Sequence, residues 1–305
     1  MNEIIEEKMN NSPKQPRRKR KNLQNMDRNI IFTVYFVLAI LFSLYCLWPL
    51  FWTLYNSLKT HREFVNDMLA FPQKWDFSIY GKIFQEFRLG RRFGFWDMAF
   101  NSIWMAFGQQ ALEVLASAMV AYPLARYNFP GKEFFYGIII FRMTIPIVGG
   151  GGAAYKLLRS LNMINNPPLY ALTWFVGFDA SALIMYGYFK NISKEYSEAA
   201  FMDGATKLTT LIKIVMPQAW PCVLALYVSA VMGSWNNYTT SMLYLTKFPN
   251  LAFGIYAFGQ ESKFNELGRP VYFGAVILSA MVPLILFIGG QKTMLTNMSI
   301  GGLKG

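Results

Sequence analysis

Long apolar runs recur along this chain at a length that a bilayer dictates. They cover residues 30–58, 99–124, 134–148, 168–189, 220–235 and 271–288, and they are rich in Ile, Leu, Val, Phe, Ala and Met. A hydrocarbon core of about 30 Å takes about 20 helical residues to cross. The runs therefore predict an all-α, polytopic membrane protein with six transmembrane helices. Residues 134–148 and 220–235 are short for a crossing and are expected to extend into their flanks. Trp48, Trp52, Trp96, Trp104, Trp220 and Trp235 sit near run ends, where interfacial aromatics gather.

A length of 305 residues suggests two soluble domains, but 54% hydrophobic residue types and a mean hydropathy of +0.25 override that reading. Much of the net charge of +12 lies in the N-terminal stretch, at Lys14 and from Arg17 to Lys21. Residues 1–29 read as a basic, disordered cytoplasmic tail held at an anionic membrane surface, and nothing else in the chain supports nucleic-acid binding. The first apolar run is too long for a secretory signal, and no small-residue cleavage site follows it. The tail places the N-terminus inside by the positive-inside rule. An even number of spans then returns the C-terminus to the cytoplasm, so the domain of residues 30–305 is multi-pass with both ends inside. Cys46 and Cys222 both fall in apolar runs and read as packing residues. A single histidine, His61, argues against a histidine metal site or a Ser-His-Asp triad.

One charged, amphipathic stretch interrupts the apolar C-terminal half. Ser193 is a candidate N-cap, and Glu195 and Glu198 follow in the first turns, where the helix dipole favours carboxylates. Ala199 and Ala200 give a small-residue face that another backbone can approach. Asp203-Gly204 breaks the helix, because glycine accepts the left-handed conformation at helix ends. A second helix is expected from Thr206. Its apolar residues Leu208, Leu211, Ile212 and Val215 fall at i, i+3, i+4 and i+7, and Pro217 is expected to stop it. Residues 193–217 thus read as a helix–turn–helix loop between two spans, on the cytoplasmic side. The bland reading is an amphipathic hairpin lying on the bilayer.

The order Glu198-Ala199-Ala200, Asp203-Gly204-Ala205, then Ile214 and Met216-Pro217 resembles the coupling loop of binding-protein-dependent ABC-transporter permeases. Further stretches are similar to the MalG-like carbohydrate-uptake branch of that family. They are Asn101-Ser102, Ala121-Tyr122-Pro123-Leu124-Ala125-Arg126, Phe129-Pro130-Gly131-Lys132, Leu161-Asn162, Trp235-Asn236 and the terminal Lys304-Gly305. Gly149-Gly150-Gly151-Gly152 departs from the family pattern, which continues there through a Pro-containing apolar stretch. The resemblance implies a MetI-like permease fold and a place in the bacterial cytoplasmic membrane. It implies two cytoplasmic ATPase subunits, a second homologous permease subunit, an extracytoplasmic solute-binding protein and a saccharide substrate. It also implies that Glu198, Ala199, Ala200, Asp203, Gly204 and Pro217 couple the chain to its ATPases.

Three ionisable residues fall inside apolar runs: Glu113, Arg142 and Asp179. Counted from Arg126, Lys132 and Lys190, each lies roughly 15–20 Å deep, near the bilayer midplane. A charge at a helix centre costs about 2.5–3.5 kcal/mol on insertion scales, so three at one depth suggest a network. They read either as a structural ion pair ordering the second, third and fourth spans or as a polar lining of a solute path. Asn236 and Asn237 are further substrate-path candidates, and Trp174, Phe175, Tyr186 and Tyr188 are candidates to stack on sugar rings. The outer segment 59–97 is expected to cap the channel mouth and touch the binding protein.

No Gly-x-x-x-x-Gly-Lys-[Ser/Thr] occurs, so the chain is expected to carry no cofactor and no ATPase site, with ATP-Mg bound by the partner subunits. The expected function is the transmembrane permease subunit of an ATP-driven importer for a sugar or oligosaccharide. Two alternatives stand beside it. One is a stand-alone secondary transporter using Glu113, Arg142 and Asp179, for which internal repeats are a pointer, and none is visible. The other is an ABC permease for a non-sugar solute.

Overall fold

A computed structural model describes residues 17–90, 92–145, 151–261 and 268–298. The described residues are helical throughout apart from turns and one isolated bridge between Leu89 and Phe93. The chain divides into two units, 1–52 and 53–305. The described part of the first lies in one helix, α1 (Arg17–Ser57), whose backbone begins within the basic stretch. From Ile30 to Phe51 its side chains are predominantly apolar and exposed on every face, the surface of a helix that meets lipid rather than water.

In chain order the second unit holds α2 (His61–Asn66), α3 (Ser78–Glu86), α4 (Phe95–Arg126), α5 (Lys132–Thr144) and α6 (Gly151–Ser160). Then come α7 (Pro167–Tyr170, prolonged by a 3-10 turn Ala171–Trp174), α8 (Ala180–Asn191), α9 (Glu195–Met202) and α10 (Lys207–Thr210). The last are α11 (Met216–Trp235), α12 (Leu251–Glu261) and α13 (Gly268–Met298). The long helix α4 is the axis of the unit, with α8, α11 and α12 packed on it and α13 on α11. Small buried residues on α4, Ala106, Ala116, Ser117, Ala118 and Ala121, let those neighbours come close.

One core joins Met98 of α4, Val231 and Trp235 of α11, Leu251 of α12, and Val271 and Ala275 of α13. A second joins Val114, Ala118 and Tyr122 of α4 to Met185 and Phe189 of α8 and to Val215, Ala219 and Val223. Buried polar groups fix the register. Asn101 Nδ2 donates to the Pro249 carbonyl at 2.9 Å, and Ser102 Oγ accepts from Leu251 N–H at 2.7 Å. Trp235 Nε1 donates to Ser279 at 3.1 Å.

Among the described residues, four segments are long and apolar enough to cross a membrane: Ile30–Ser57, Phe95–Arg126, Lys207–Trp235 and Gly268–Lys292. They contain the first, second, fifth and sixth expected spans. The third corresponds to α5, only 13 residues long, and residues 146–150, with Gly149 and Gly150, lie outside the described residues. The fourth is not a continuous helix. It is α7 with its 3-10 turn, a break over residues 175–179, and then α8. Gly177 sets the break with φ +70°, and a Cβ there would stand 2.5 Å from the Ala116 carbonyl oxygen of α4.

The segment between α1 and α4, expected as a loop, is folded into the core. Ile79 and Ile83 of α3 and the following Phe87 are buried in the first core, and Phe64 of α2 meets the Phe273 ring at 5.2 Å. Thr60 and Glu63 cap α2 reciprocally, as a capping box.

Pro217 does not end the hairpin's second helix. Helix continues from Lys207 to Trp235. The turn Leu211–Val215 is a π turn, in which Met216 N–H reaches back to Leu211 O. That widened turn makes room for the Pro217 ring, which has no N–H to satisfy.

Candidate functional site

The break between α7 and α8 builds a polar recess. Because Gly177 turns the chain tightly against α4, Asp179 becomes the N-cap of α8 instead of a residue inside a helix, and its Oδ1 accepts from Ala182 N–H at 3.0 Å. Ser117 of α4 adds a hydroxyl 2.9 Å from the same oxygen and 2.8 Å from the Glu113 carbonyl. Arg142, in the last turn of α5, donates from Nη1 to the Phe178 carbonyl at 2.9 Å, so it satisfies a backbone oxygen that the break releases. The Glu113 side chain faces the same space as Asp179 and Arg142.

These three charged residues line one recess of about 220 Å³ together with Gln109, Thr173, Trp174, Val176 and Gly177. The structure thus assembles the three charges that the sequence placed at one depth. It does not join any two of them in a salt bridge, as the structural ion-pair reading required. Among the described residues the ion pair within 4.0 Å is Lys82–Asp76, at 3.8 Å. The reason is geometric, since the α8 N-terminus and Ser117 orient the Asp179 carboxylate while Phe178 takes an Arg142 nitrogen.

Gln109, Ser117, Thr173 and Gly177 are members of this site that the sequence reading did not single out. Gln109 Oε1 accepts from Ser234 Oγ at 3.3 Å, which ties the recess to α11. Trp174 forms an apolar wall and is itself packed against Tyr170 and Trp104, at 5.7 and 6.4 Å between ring centroids. Phe175, Tyr186 and Tyr188 do not line the recess. Tyr186 packs on Tyr136 at 5.1 Å, and Tyr188 Oη donates to the Gln218 carbonyl at 3.1 Å. Asn236 and Asn237 stand apart from it as well. Asn236 ends α11, and Asn237 Oδ1 accepts from Thr239 N–H at 3.0 Å in a local turn.

The hairpin forms, but its first helix α9 has Lys194 and not Ser193 as its N-cap, so the Ser193 hydroxyl acts one residue too early to cap it. Ser193 Oγ accepts from Glu195 N–H at 3.3 Å. At the other end of α9, Gly204 N–H donates to Phe201 O and Ala205 N–H to Ala200 O, with Gly204 at φ +81°. This is the paired bonding of a Schellman cap. Thr206 Oγ1 then accepts from Thr209 N–H at 3.2 Å and starts α10. Lys207 lies over the Tyr127 ring at 5.0 Å, and Leu211 and Val215 pack into the second core. Ala200 is buried, whereas Glu198, Ala199, Asp203, Gly204 and Pro217 are exposed. Around them Tyr196, Phe201, Met202, Leu208 and Ile212 are exposed too, Met202 at 88%. The hairpin thus exposes apolar side chains together with the Glu198 and Asp203 carboxylates.

Residues 113–295 match the family described as "Binding-protein-dependent transport system inner membrane component". The chain is 24% identical over 270 residues to the diacetylchitobiose uptake system permease protein NgcG of Streptomyces coelicolor, covering 88% of this chain and 87% of that protein. It is 27% identical over 274 residues to the sulfoquinovosyl glycerol transport system permease protein SmoH of Agrobacterium fabrum, covering 88% and 93%. It is 26% identical over 277 residues to the trehalose transport system permease protein SugB of Mycobacterium tuberculosis, covering 90% and 98%. Its fold is that of a chain from a bacterial ABC transporter that imports the acidic polysaccharide alginate, with TM-score 0.70, 24% identity, and coverage of 92% of this chain and 99% of that one. With more than half of its length matched, the chain belongs to the inner membrane components of binding-protein-dependent transport systems.

Proposed function

We propose that this chain is the transmembrane permease subunit of an ATP-driven importer for a saccharide and forms half of the translocation path. The observation that carries this reading is the pairing of a polar recess between apolar helices with an exposed, capped hairpin, in a chain of this family. The solutes named for its relatives are all saccharides: diacetylchitobiose, sulfoquinovosyl glycerol and trehalose. Six membrane crossings, with α5 and the broken α7–α8 segment as the third and fourth, place both termini and the hairpin in the cytoplasm.

The hairpin docks on a cytoplasmic ATPase subunit, with Glu198, Ala199, Ala200, Asp203 and Gly204 at the contact and Pro217 at the hinge with α11. A second permease subunit supplies the other half of the path, and an extracytoplasmic binding protein delivers the solute. ATP-Mg binds to the two ATPase subunits and not to this chain. Closing of the ATPase pair pushes the hairpin, and its rigid cap passes that movement through the second core to α4, α8 and α11. The helices then alternate between outward- and inward-facing arrangements. Glu113, Arg142 and Asp179 provide hydrogen-bonding groups along an otherwise apolar path, as a polyhydroxylated solute requires.

Reconstitution of the permease pair with its ATPase subunits in liposomes tests this reading. Saccharide uptake that needs both ATP and the binding protein is expected. Solute movement by this chain alone, without ATP, would show a stand-alone transporter.

A further inference from the structure

The relatives' solutes include neutral and acidic saccharides, so membership of the family leaves the charge of this chain's solute open. We infer that the recess selects a saccharide that is neutral or carries an amine, and rejects acidic ones. This rests on the proposal that the recess lines the translocation path.

The inference comes from the charges and from how they are already engaged. The recess holds two carboxylates, Glu113 and Asp179, and one guanidinium, Arg142. With all three ionised it carries one negative charge. With one proton shared between the two carboxylates it carries none. In neither state does it offer a positive charge in excess to balance a uronate or a sulfonate. Arg142 is the cation of the lining, and its Nη1 is already donating to the Phe178 carbonyl. An anionic solute must also approach the Glu113 and Asp179 carboxylates in a site walled by Trp174 and Val176, where like charges repel more strongly than in water.

A sugar hydroxyl or an ammonium finds the reverse. Carboxylate oxygens accept from it, the Gln109 amide adds a polar neighbour, and Trp174 offers an apolar face to the C–H side of a ring. Discrimination by repulsion of the wrong ligand needs no contact made only with the right one.

The test is saturation-transfer NMR on the complete permease–ATPase complex in nanodiscs, without the binding protein, so that only the path is probed. Three probes are used: trehalose, fully deacetylated chitobiose and an alginate-derived diuronate. Trehalose and the amino disaccharide are expected to bind, with the diuronate weaker by at least about tenfold. Glu113→Gln keeps the side-chain shape and removes one negative charge, and it is expected to narrow the ratio of neutral to acidic binding by about tenfold. Comparing the variant with the wild type cancels the differences in shape between probes and any contribution of the partner permease. A diuronate that binds as well as trehalose, or a ratio unchanged in Glu113→Gln, would overturn charge selection while leaving the path intact. Absence of all three probes would overturn the path assignment and this inference with it.

Discussion

Ser117 Oγ of α4 stands 2.9 Å from Oδ1 of Asp179, the residue that caps α8. One hydroxyl thus ties the axis of the unit to the start of the helix beyond the break, at the edge of the polar recess. Asp179→Ala removes the cap and this contact together and is expected to destabilise the protein by about 1–3 kcal/mol. Asp179→Asn keeps an acceptor for Ala182 N–H and should lose less. Thermal inactivation of the detergent-solubilised complex separates the two. Equal losses would mean that the carboxylate acts through something other than its acceptor role.

Gly177 permits the break itself. Any Cβ there meets the Ala116 carbonyl at 2.5 Å, on a backbone already at φ +70°. Gly177→Ala is expected to cost at least about 2 kcal/mol, while Gly187→Ala, whose Cβ meets nothing within 4 Å, should be near neutral. The yield and melting temperature of the two purified variants provide the comparison.

At the hairpin, strain and charge act separately. Gly204→Val forces a β-branched residue to φ +81° in an otherwise open position, at a cost of about 1–2 kcal/mol. The variant should still reach the membrane but support little uptake for the ATP hydrolysed. Glu198→Lys reverses an exposed charge without disturbing the fold and should weaken retention of the ATPase subunits. Measuring uptake and ATPase activity on the same preparations distinguishes uncoupling from loss of the partner. Normal uptake by both variants would remove the hairpin from the mechanism.

The folded segment between α1 and α4 carries a pH dependence of known sign. Backbone N–H groups, first that of Leu69, hold the Asp67 carboxyl below its ordinary 3.8. The Ser78 hydroxyl, ahead of its backbone N–H, does the same for Asp76. Carboxyls lowered on folding stabilise fully above 3.8, and that contribution is lost as the pH falls through their folded values. Unfolding followed by tryptophan fluorescence should show stability declining below about pH 3.8, and Asp76→Ala should flatten the decline.

Features with a local cause were legible in the sequence. The turn at Asp203-Gly204 and the start at Thr206 depend on residues within a few positions, and the structure forms both, whereas the N-cap of α9 falls on Lys194 instead of Ser193. Glu113, Arg142 and Asp179 were legible as a group because charges in apolar runs demand one another's company. The break in the fourth span was not, since Gly177 is fixed by a carbonyl on α4 far away in sequence. With the break hidden, so were the capping role of Asp179, its contact with Ser117 and the recess member Thr173. Pro217 misled because its stop signal assumes an α-helical turn before it, whereas the turn is π. The segment before α4 read as a loop because Ile79, Ile83 and Phe87 are too few to show a period until the core they enter is known.

The most direct test of the central claim is cross-linking from the hairpin tip. Met202, 88% exposed, is replaced by cysteine in a Cys46→Ser, Cys222→Ser background, and native membranes are treated with a short bifunctional maleimide. The account predicts a product with an ATPase subunit, formed only when the reagent reaches the cytoplasmic face and weakened by Glu198→Lys. Labelling of Met202→Cys by an impermeant maleimide added outside, with no ATPase product, would contradict it.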